Sequence, residues 1–208
     1  MGRSSKVKLM TLSLGNQPYA ISFKFDFDRA LAAMVEIVDM LGEVDKAKLL
    51  VLLYISDKRH FLSHGYPITG DAPWAVKWGP VPSSCLEALN GVLWPDVDAT
   101  FRHLHVVDNK VMLRHRPSRN PLSEDERATL LTVCKDQGHK RTWDLAQETR
   151  EYPEYKETYV EGTSTPIPFE LILKHSGDES KFHLGRPVIT PEMAAHMICP
   201  FPNDESDL

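Results

Sequence analysis

No apolar run in the chain approaches the roughly 18 residues that a membrane-spanning helix needs. The amino terminus, Met1 to Lys6, leads into no signal-like apolar block. The expectation is therefore a soluble, cytoplasmic protein with no membrane partner. Its three cysteines, Cys85, Cys134 and Cys199, are widely spaced and odd in number. That usage speaks against a disulfide framework and predicts buried thiols in a reducing compartment. No two of them stand at a C-x-x-C spacing, so the strongest zinc signals are missing. There is no G-x-x-x-x-G-K-[ST] loop, no G-x-G-x-x-G and no G-x-S-x-G. Phosphate cradles, dinucleotide binding and a nucleophile elbow thus lose their usual motifs. Internal repeats and low-complexity blocks are lacking too.

Charge and composition bound the rest. A formal net charge of −5 argues against a dedicated nucleic-acid binder, although Lys58-Arg59-His60 and Arg114-His115-Arg116 are local basic clusters. With 208 residues, 42% apolar and 25% charged, the chain can bury one ordinary core. Against this plain background one stretch stands out. Residues Gly65 to Ser83 hold three glycines, four prolines and two tryptophans. Glycine admits positive φ and proline fixes φ, so together they hold a chain on a defined, non-repetitive path. The prediction is an ordered elbow joining two helices.

Periodicity places the elements around it. Tyr19, Ile21, Phe23 and Phe25 alternate with smaller or polar residues, which predicts a strand, with Lys8–Leu14 a weaker strand before it. From Phe27 the period becomes helical: Phe27, Leu31, Met34, Val35, Val38 and Leu41 share a face, and Gly42 suits a left-handed stop. A second helix, from Lys46 to about His64 with Asp45 as its cap and Gly65 as its stop, is apolar all round at Leu49–Ile55 and should be central. After the elbow, Ser84 and Glu87 form a capping-box pair for a helix that runs to Asn90. His103–Val107 and Lys110–Leu113 read as a hairpin about Asp108-Asn109. Ser123 and Glu126 form another capping box, for a helix reaching Gly138. Thr142 is a candidate cap for a helix to about Arg150. Pro168 to about His175 and Thr190–Met197 are short helices. The fold class is mainly α (α+β): a compact helical domain with a small antiparallel β-hairpin and a candidate N-terminal strand or hairpin.

Candidate chemistry is sparse. His60 and His64 lie four apart on one helical face, with Asp57 nearby, but Phe61 stands where a zinc protease helix would carry its glutamate. Helix-end solvation explains the two histidines as well. Asp71 and Lys77 could form an acid–base pair; Asp71 bonding backbone N–H groups is the simpler role. Trp74 and Trp78 would share a face on a helix, as core or as a partner hot spot.

The residues Lys48 to Phe61, then Gly65-Tyr66-Pro67-Ile68-Thr69-Gly70-Asp71, then Val76-Lys77-Trp78-Gly79-Pro80-Val81-Pro82-Ser83 resemble the signature of the Panacea antitoxin domain, also called SocA-like. That pattern is a K-L-x-x-L-L-Y-x-A-D-x-x-H helix, a G-x-P-I-T-G-D turn and a basic-aromatic-G-P-V-P-S run. Trp143–Lys156 is similar to the family's later S-W-x-L-S-x-x-T-H-x-x-P-x-W run. Ser56 replaces the usual alanine, Arg150 the histidine after threonine, and Tyr155 the tryptophan. The resemblance spans about Phe27–Lys156. It implies a bacterial or phage protein that neutralises a cognate toxin, encoded nearby, by direct contact, with some relatives acting as adaptors that deliver the toxin to a protease.

These readings divide the chain into an N-terminal extension (1–25), a Panacea-like domain (26–160) and a C-terminal extension with an acidic end (161–208). The expected role is a binding protein without catalytic residues, cofactor or metal. Asp57, His60, Thr69, Asp71, Trp74, Lys77 and Trp78 are the candidate partner-binding residues. Gly65, Pro67, Gly70, Gly79, Pro80, Pro82 and Ser83 are the candidate structural ones. The alternatives are a metal-dependent enzyme using His60 and His64, and a DNA-binding autoregulator.

Overall fold

A computed structural model of the chain describes residues 21–92 and 97–177. Its centre is the helix that the sequence makes apolar on every side. This α2 (Lys46–His64) buries every residue from Leu49 to Asp57. It packs against α1 (Phe27–Leu41), α5 (Glu124–Gln137) and α6 (Thr142–Arg150). Gly65 ends α2 in the left-handed conformation, whereas Gly42 ends α1 at positive φ with ψ −140, outside the left-handed region its sequence position suggests. Gly42 and Gly65 take positive φ at the ends of α1 and α2, and the Gly65 N–H returns to the Phe61 carbonyl at 2.8 Å.

Two small sheets flank the helices. In the first, β1 (Val44–Asp45) pairs with β5 (Lys110–Leu113), which pairs with β4 (Leu104–Val107), all antiparallel. The predicted hairpin is present, and Asp108 at its turn has φ +53. In the second sheet, β2 (Pro73–Val76) is central between β3 (Gly79–Pro82) and β6 (Thr165–Pro166). Short helices α3 (Ser83–Asn90), α4 (Val97–His103), α7 (Pro153–Thr158) and α8 (Phe169–Lys174) complete the order. The described residues are thus mainly helical with two three-stranded antiparallel sheets.

Several expectations need correction. The elbow contains the β2–β3 hairpin, so Trp74 and Trp78 do not share a helical face: Trp74 lies in β2 and Trp78 in the following turn. The density of proline hides this hairpin. β3 is an edge strand of its sheet, where missing N–H donors are tolerated. Residues 21–25 keep the predicted alternation, with Phe23 buried between exposed Ser22 and Lys24, but form no ladder. The expected strand at Lys8–Leu14, the start of the strand at Tyr19, and the helix at Thr190–Met197 lie outside the described residues.

The caps divide in an instructive way. Ser123 and Glu126 make the full reciprocal box. Neither Asp45 nor Thr142 caps its helix with its side chain. The Thr142 hydroxyl donates to the Asp45 carboxylate at 2.5 Å, tying the start of α6 to the start of α2. Lys110 joins at 2.9 Å. Those two donors, Thr142 first, hold the Asp45 carboxyl below the usual range. Ser84 and Glu87 form no box, because α3 begins two residues earlier than that cap requires, with Pro82 at its N-cap position, and receives its cap from elsewhere.

The core has two parts. The larger gathers α1, α2, α5 and the inner face of β4–β5. The smaller joins Phe23, Phe61, Ala75, Tyr155, Ile167, Phe169, Ile172 and Leu173. Phe23, Phe61 and Phe169 meet edge-on with ring centroids 4.9–5.6 Å apart. Buried charges link the helices. Arg29 of α1 pairs with fully buried Glu126 of α5, the same glutamate that closes the capping box. Lys58 and the Tyr54 hydroxyl both reach buried Glu154.

Candidate partner-binding surface

Starting from α2, the buried carboxylate of Asp57 accepts the backbone N–H of Thr69 at 3.0 Å and also its hydroxyl. The Thr69 hydroxyl oxygen in turn accepts the Asp71 N–H at 3.1 Å. The Asp71 carboxylate then accepts the N–H groups of Ser84 (3.1 Å) and Cys85 (2.8 Å). Asp71 is thus the cap of α3, supplied across the hairpin, and its charge sits at the positive end of that helix. Burial pushes the Asp57 carboxyl up to about 7 despite the Thr69 bonds, and it raises Asp71 as well. The same burial, with both carboxylates near, lifts the Cys85 thiol well above its ordinary value, so Cys85 is an inert core thiol.

Gly70 sits inside this relay with φ +69, and a Cβ there would collide with the Lys24 carbonyl oxygen. The 21–26 segment lies on the loop at that point, with the Asp26 N–H donating to the Thr69 carbonyl at 2.9 Å. Arg29 Nε donates to the Ile68 carbonyl at 3.0 Å. Pro67, Ile68 and Thr69 are all buried. Gly79 has φ +123, and a Cβ there would come 3.0 Å from the Thr149 hydroxyl, so β3 lies close against α6. Pro80 and Pro82 are buried in β3, and Ser83 opens α3 with its N–H 3.4 Å from the Ala72 carbonyl. Asp57, Thr69 and Asp71 therefore spend their polar atoms inside the fold.

His60 is also internal. Its ring is fully buried, stacks on His64 with centroids 4.1 Å apart, meets Tyr66 edge-on at 4.9 Å and lies 3.3 Å from the Thr129 hydroxyl. Asp57 bonds to Thr69 rather than joining the histidines. Among the described residues no three His, Cys, Asp or Glu side chains converge as a metal site. Also among them, no helix is long and apolar enough to cross a membrane.

What faces outward is aromatic. Trp78 is 56% exposed and Trp143, at the start of α6, is 54% exposed; their rings meet edge-on at 6.3 Å. Lys77 places its ammonium 4.9 Å from the Trp78 ring centroid. Beside Trp78 runs a groove of about 460 Å³, between the β2–β3 turn and the 159–164 loop, with Tyr159 in its wall. Tyr159 stacks on Tyr155 at 5.1 Å, and the Tyr155 hydroxyl donates to the Val76 carbonyl at 2.8 Å. A second depression, of about 290 Å³, continues past Tyr155 and Tyr159 to Arg150. Of the candidate partner-binding residues, only Lys77 and Trp78 reach this surface openly. Trp74 is half-buried in β2. Sequence reasoning does not single out Trp143 or Tyr159, which the fold brings to this surface. A signal exists for Trp143, since it stands apart from Leu145 and Thr149, the buried residues of α6.

The family model described as "Antitoxin SocA-like, Panacea domain" matches residues 49–154, just over half of the 208-residue chain. The chain belongs to the SocA-like Panacea family. The match runs from α2, through the Asp57–Thr69–Asp71 relay and the β2–β3 hairpin, to buried Glu154 of α7. No curated protein and no solved structure matches the chain. In this Panacea protein the signature turn is explained by packing: threonine, glycine and aspartate are each required by a contact just described. Arg150, in place of the family's histidine, lines the second depression, donating to Gln147 at 3.3 Å. Tyr155, in place of the tryptophan, holds the β2 carbonyl of Val76.

Proposed function

We propose that this Panacea protein is an antitoxin that neutralises a cognate protein toxin by direct contact, and that the toxin docks on the surface around Trp78 and Trp143. Family membership supports the antitoxin role. The observation that carries the site is the exposed tryptophan pair. Two indoles, each more than half exposed and touching edge-on, hold a large apolar area in water next to a groove. Tryptophan, tyrosine and arginine are the residues on which interface energy concentrates, and Trp78, Trp143, Tyr159 and Arg150 bring all three types together here. Binding is the reading favoured here: Asp57 and Asp71 serve the fold, and neither lines the two depressions beside the tryptophans.

The test is co-expression with the product of the adjacent reading frame. Rescue of growth and co-purification are expected from the native protein, and both should be lost in Trp78→Ala/Trp143→Ala. A neighbouring product that is neither toxic nor bound overturns the antitoxin role. Rescue and binding that survive the double substitution overturn the site alone. Delivery to a protease is a separate outcome of the same cells: the toxin's half-life would shorten only when the antitoxin is present.

A further inference from the structure

The basic cluster Lys58-Arg59-His60 is dissolved by folding: Lys58 pairs with Glu154, Arg59 with Asp136, and His60 is buried. The second cluster, Arg114-His115-Arg116, meets a different fate. Residues 101–119 carry five lysines or arginines and three histidines against a single acid, Asp108, in a chain of net charge −5. Some of this charge is answered within the fold. Lys110 pairs with Asp45 and Glu43, and Arg116 with Asp39. Arg102 and Arg114 form no ion pair with a carboxylate among the described residues, and both are exposed.

Contacts bring these groups to one end of the β4–β5 hairpin. Arg114 Nη2 lies 2.8 Å from His105 Nδ1, and Arg114 Nη1 donates to the Phe101 carbonyl at 3.1 Å. His103 Nδ1 lies 2.9 Å from the His115 carbonyl, and the N–H groups of Arg114 and His115 both return to the His103 carbonyl. A guanidinium can only donate, so His105 accepts on Nδ1 and carries its proton on Nε2. Likewise His103 uses an Nδ1–H for the carbonyl. Arg114, His103, His105 and the His115 backbone are thereby joined at the end of α4 and the open end of the hairpin, and Arg102 lies there by position, in the last turn of α4. Capping the Phe101 carbonyl accounts for one nitrogen of Arg114, and Arg102, in the last turn of α4, suits the negative end of the helix dipole; neither role pairs a guanidinium with a carboxylate.

We propose that this end of the hairpin is a nucleic-acid surface that binds backbone phosphates through Arg102 and Arg114. Guanidiniums suit phosphate oxygens because they present planar, always-charged donor forks. An acidic protein would need more than charge. Interface cores are apolar and depleted in charge, and the exposed large apolar side chain of this hairpin is Val107 alone among the described residues. The aromatic anchors lie instead at Trp78 and Trp143. Phosphate binding needs no such core.

The experiment is fluorescence anisotropy of the full chain with a fluorescein-labelled mixed-sequence duplex of about 20 base pairs, titrated at several salt concentrations. Binding that weakens steeply with salt is expected. Arg102→Ala/Arg114→Ala should lower affinity at least tenfold and reduce the log–log salt slope by about two, one for each phosphate contact. Arg102→Ala alone, which breaks no described hydrogen bond, should give about half that slope change with little change in the melting curve. Arg141→Ala/Lys156→Ala, which removes equal charge near α6 and α7, should leave the slope as it was. No duplex binding at low salt overturns the proposal, as does an equal loss in the two double variants. It also fails if the arginine variants weaken capture of the partner toxin while duplex binding stays intact.

Discussion

Thr69 gives both its backbone N–H and its hydroxyl hydrogen to the carboxylate of Asp57, twelve residues earlier on α2. The same hydroxyl oxygen receives the N–H of Asp71, whose carboxylate caps α3. The loop is thereby fixed to one helix behind it and one ahead of it. Both anchors, and the surface beyond them, have measurable consequences.

Stability should depend on pH through Asp57. Its carboxyl titrates near 7 when folded, against 3.8 for the exposed group, with burial as the main cause. Below about pH 4 both states hold the proton and nothing is lost. Between pH 4 and 7 the unfolded chain releases the proton more readily, so stability falls as pH rises. At about 1.4 kcal/mol per unit the full loss is about 4 kcal/mol at most. Asp57→Asn keeps an acceptor for the Thr69 N–H and removes this titration. Urea unfolding at pH 5 and pH 8 should show a clearly smaller difference for the variant, with Asp71 supplying what remains. Equal differences would refute the assignment.

The cap role of Asp71 predicts a loss of about 1–2 kcal/mol in Asp71→Ala, the usual size for removing a capping side chain. Asp71→Asn keeps one acceptor and should fall between the two. Chemical denaturation measures this directly, and a shift below a few tenths of a kcal/mol would mean that the α3 amides find other partners.

Gly70→Ala should cost about 1–3 kcal/mol from positive φ alone, and more because the new Cβ would drive into the Lys24 carbonyl. Gly162→Ala is the matched comparison. Gly162 also has positive φ (+78), and a Cβ added there would meet nothing within 4 Å. The difference between the two variants isolates the close approach of the 21–26 segment. Equal losses would leave only the conformational contribution.

Trp78→Ala and Trp143→Ala should each leave the unfolding free energy within about 0.5 kcal/mol, as for exposed side chains. Each should weaken toxin binding by about 2 kcal/mol or more, the scale of an interface hot spot. Calorimetric titration alongside thermal melts separates the two. A large fall in melting temperature with unchanged affinity would assign the pair to folding.

Helices are the most legible part of the sequence, because 3.6-residue periodicity and glycine stops are local signals. Those signals place α1, α2 and the Ser123–Glu126 box correctly. The β2–β3 hairpin is not legible, since Pro73, Pro80 and Pro82 argue against strands unless one knows that Pro73 opens β2 and that β3 lies at a sheet edge. Three caps mislead for a common reason. Asp45, Ser84 and Thr142 have capping chemistry, yet only Asp45 sits at an N-cap position. Ser84 and Thr142 fall inside their helices, and the helices' first N–H groups or these side chains themselves are engaged by partners distant in sequence. Asp71 shows the converse, a cap supplied from outside its helix's own sequence. At the surface, Trp78 is visible through its motif, whereas its pairing with Trp143 across sixty-odd residues depends on how α6 lies against β3.

The three-ring contact of Phe23, Phe61 and Phe169 sets a lower limit on what can be cut away. A fragment ending at the family boundaries, 49 and 154, would keep Phe61 and Ala75 but lose Phe23, Tyr155, Ile167, Phe169 and Ile172. It would also lose all of α1, with Arg29 and its pairing to buried Glu126. That truncation strips one small core of most of its members and strands a buried carboxylate, so the fragment should be insoluble or unfolded. A fragment that keeps both cores has to reach at least from Phe23 to Leu173, well beyond the recognisable motif.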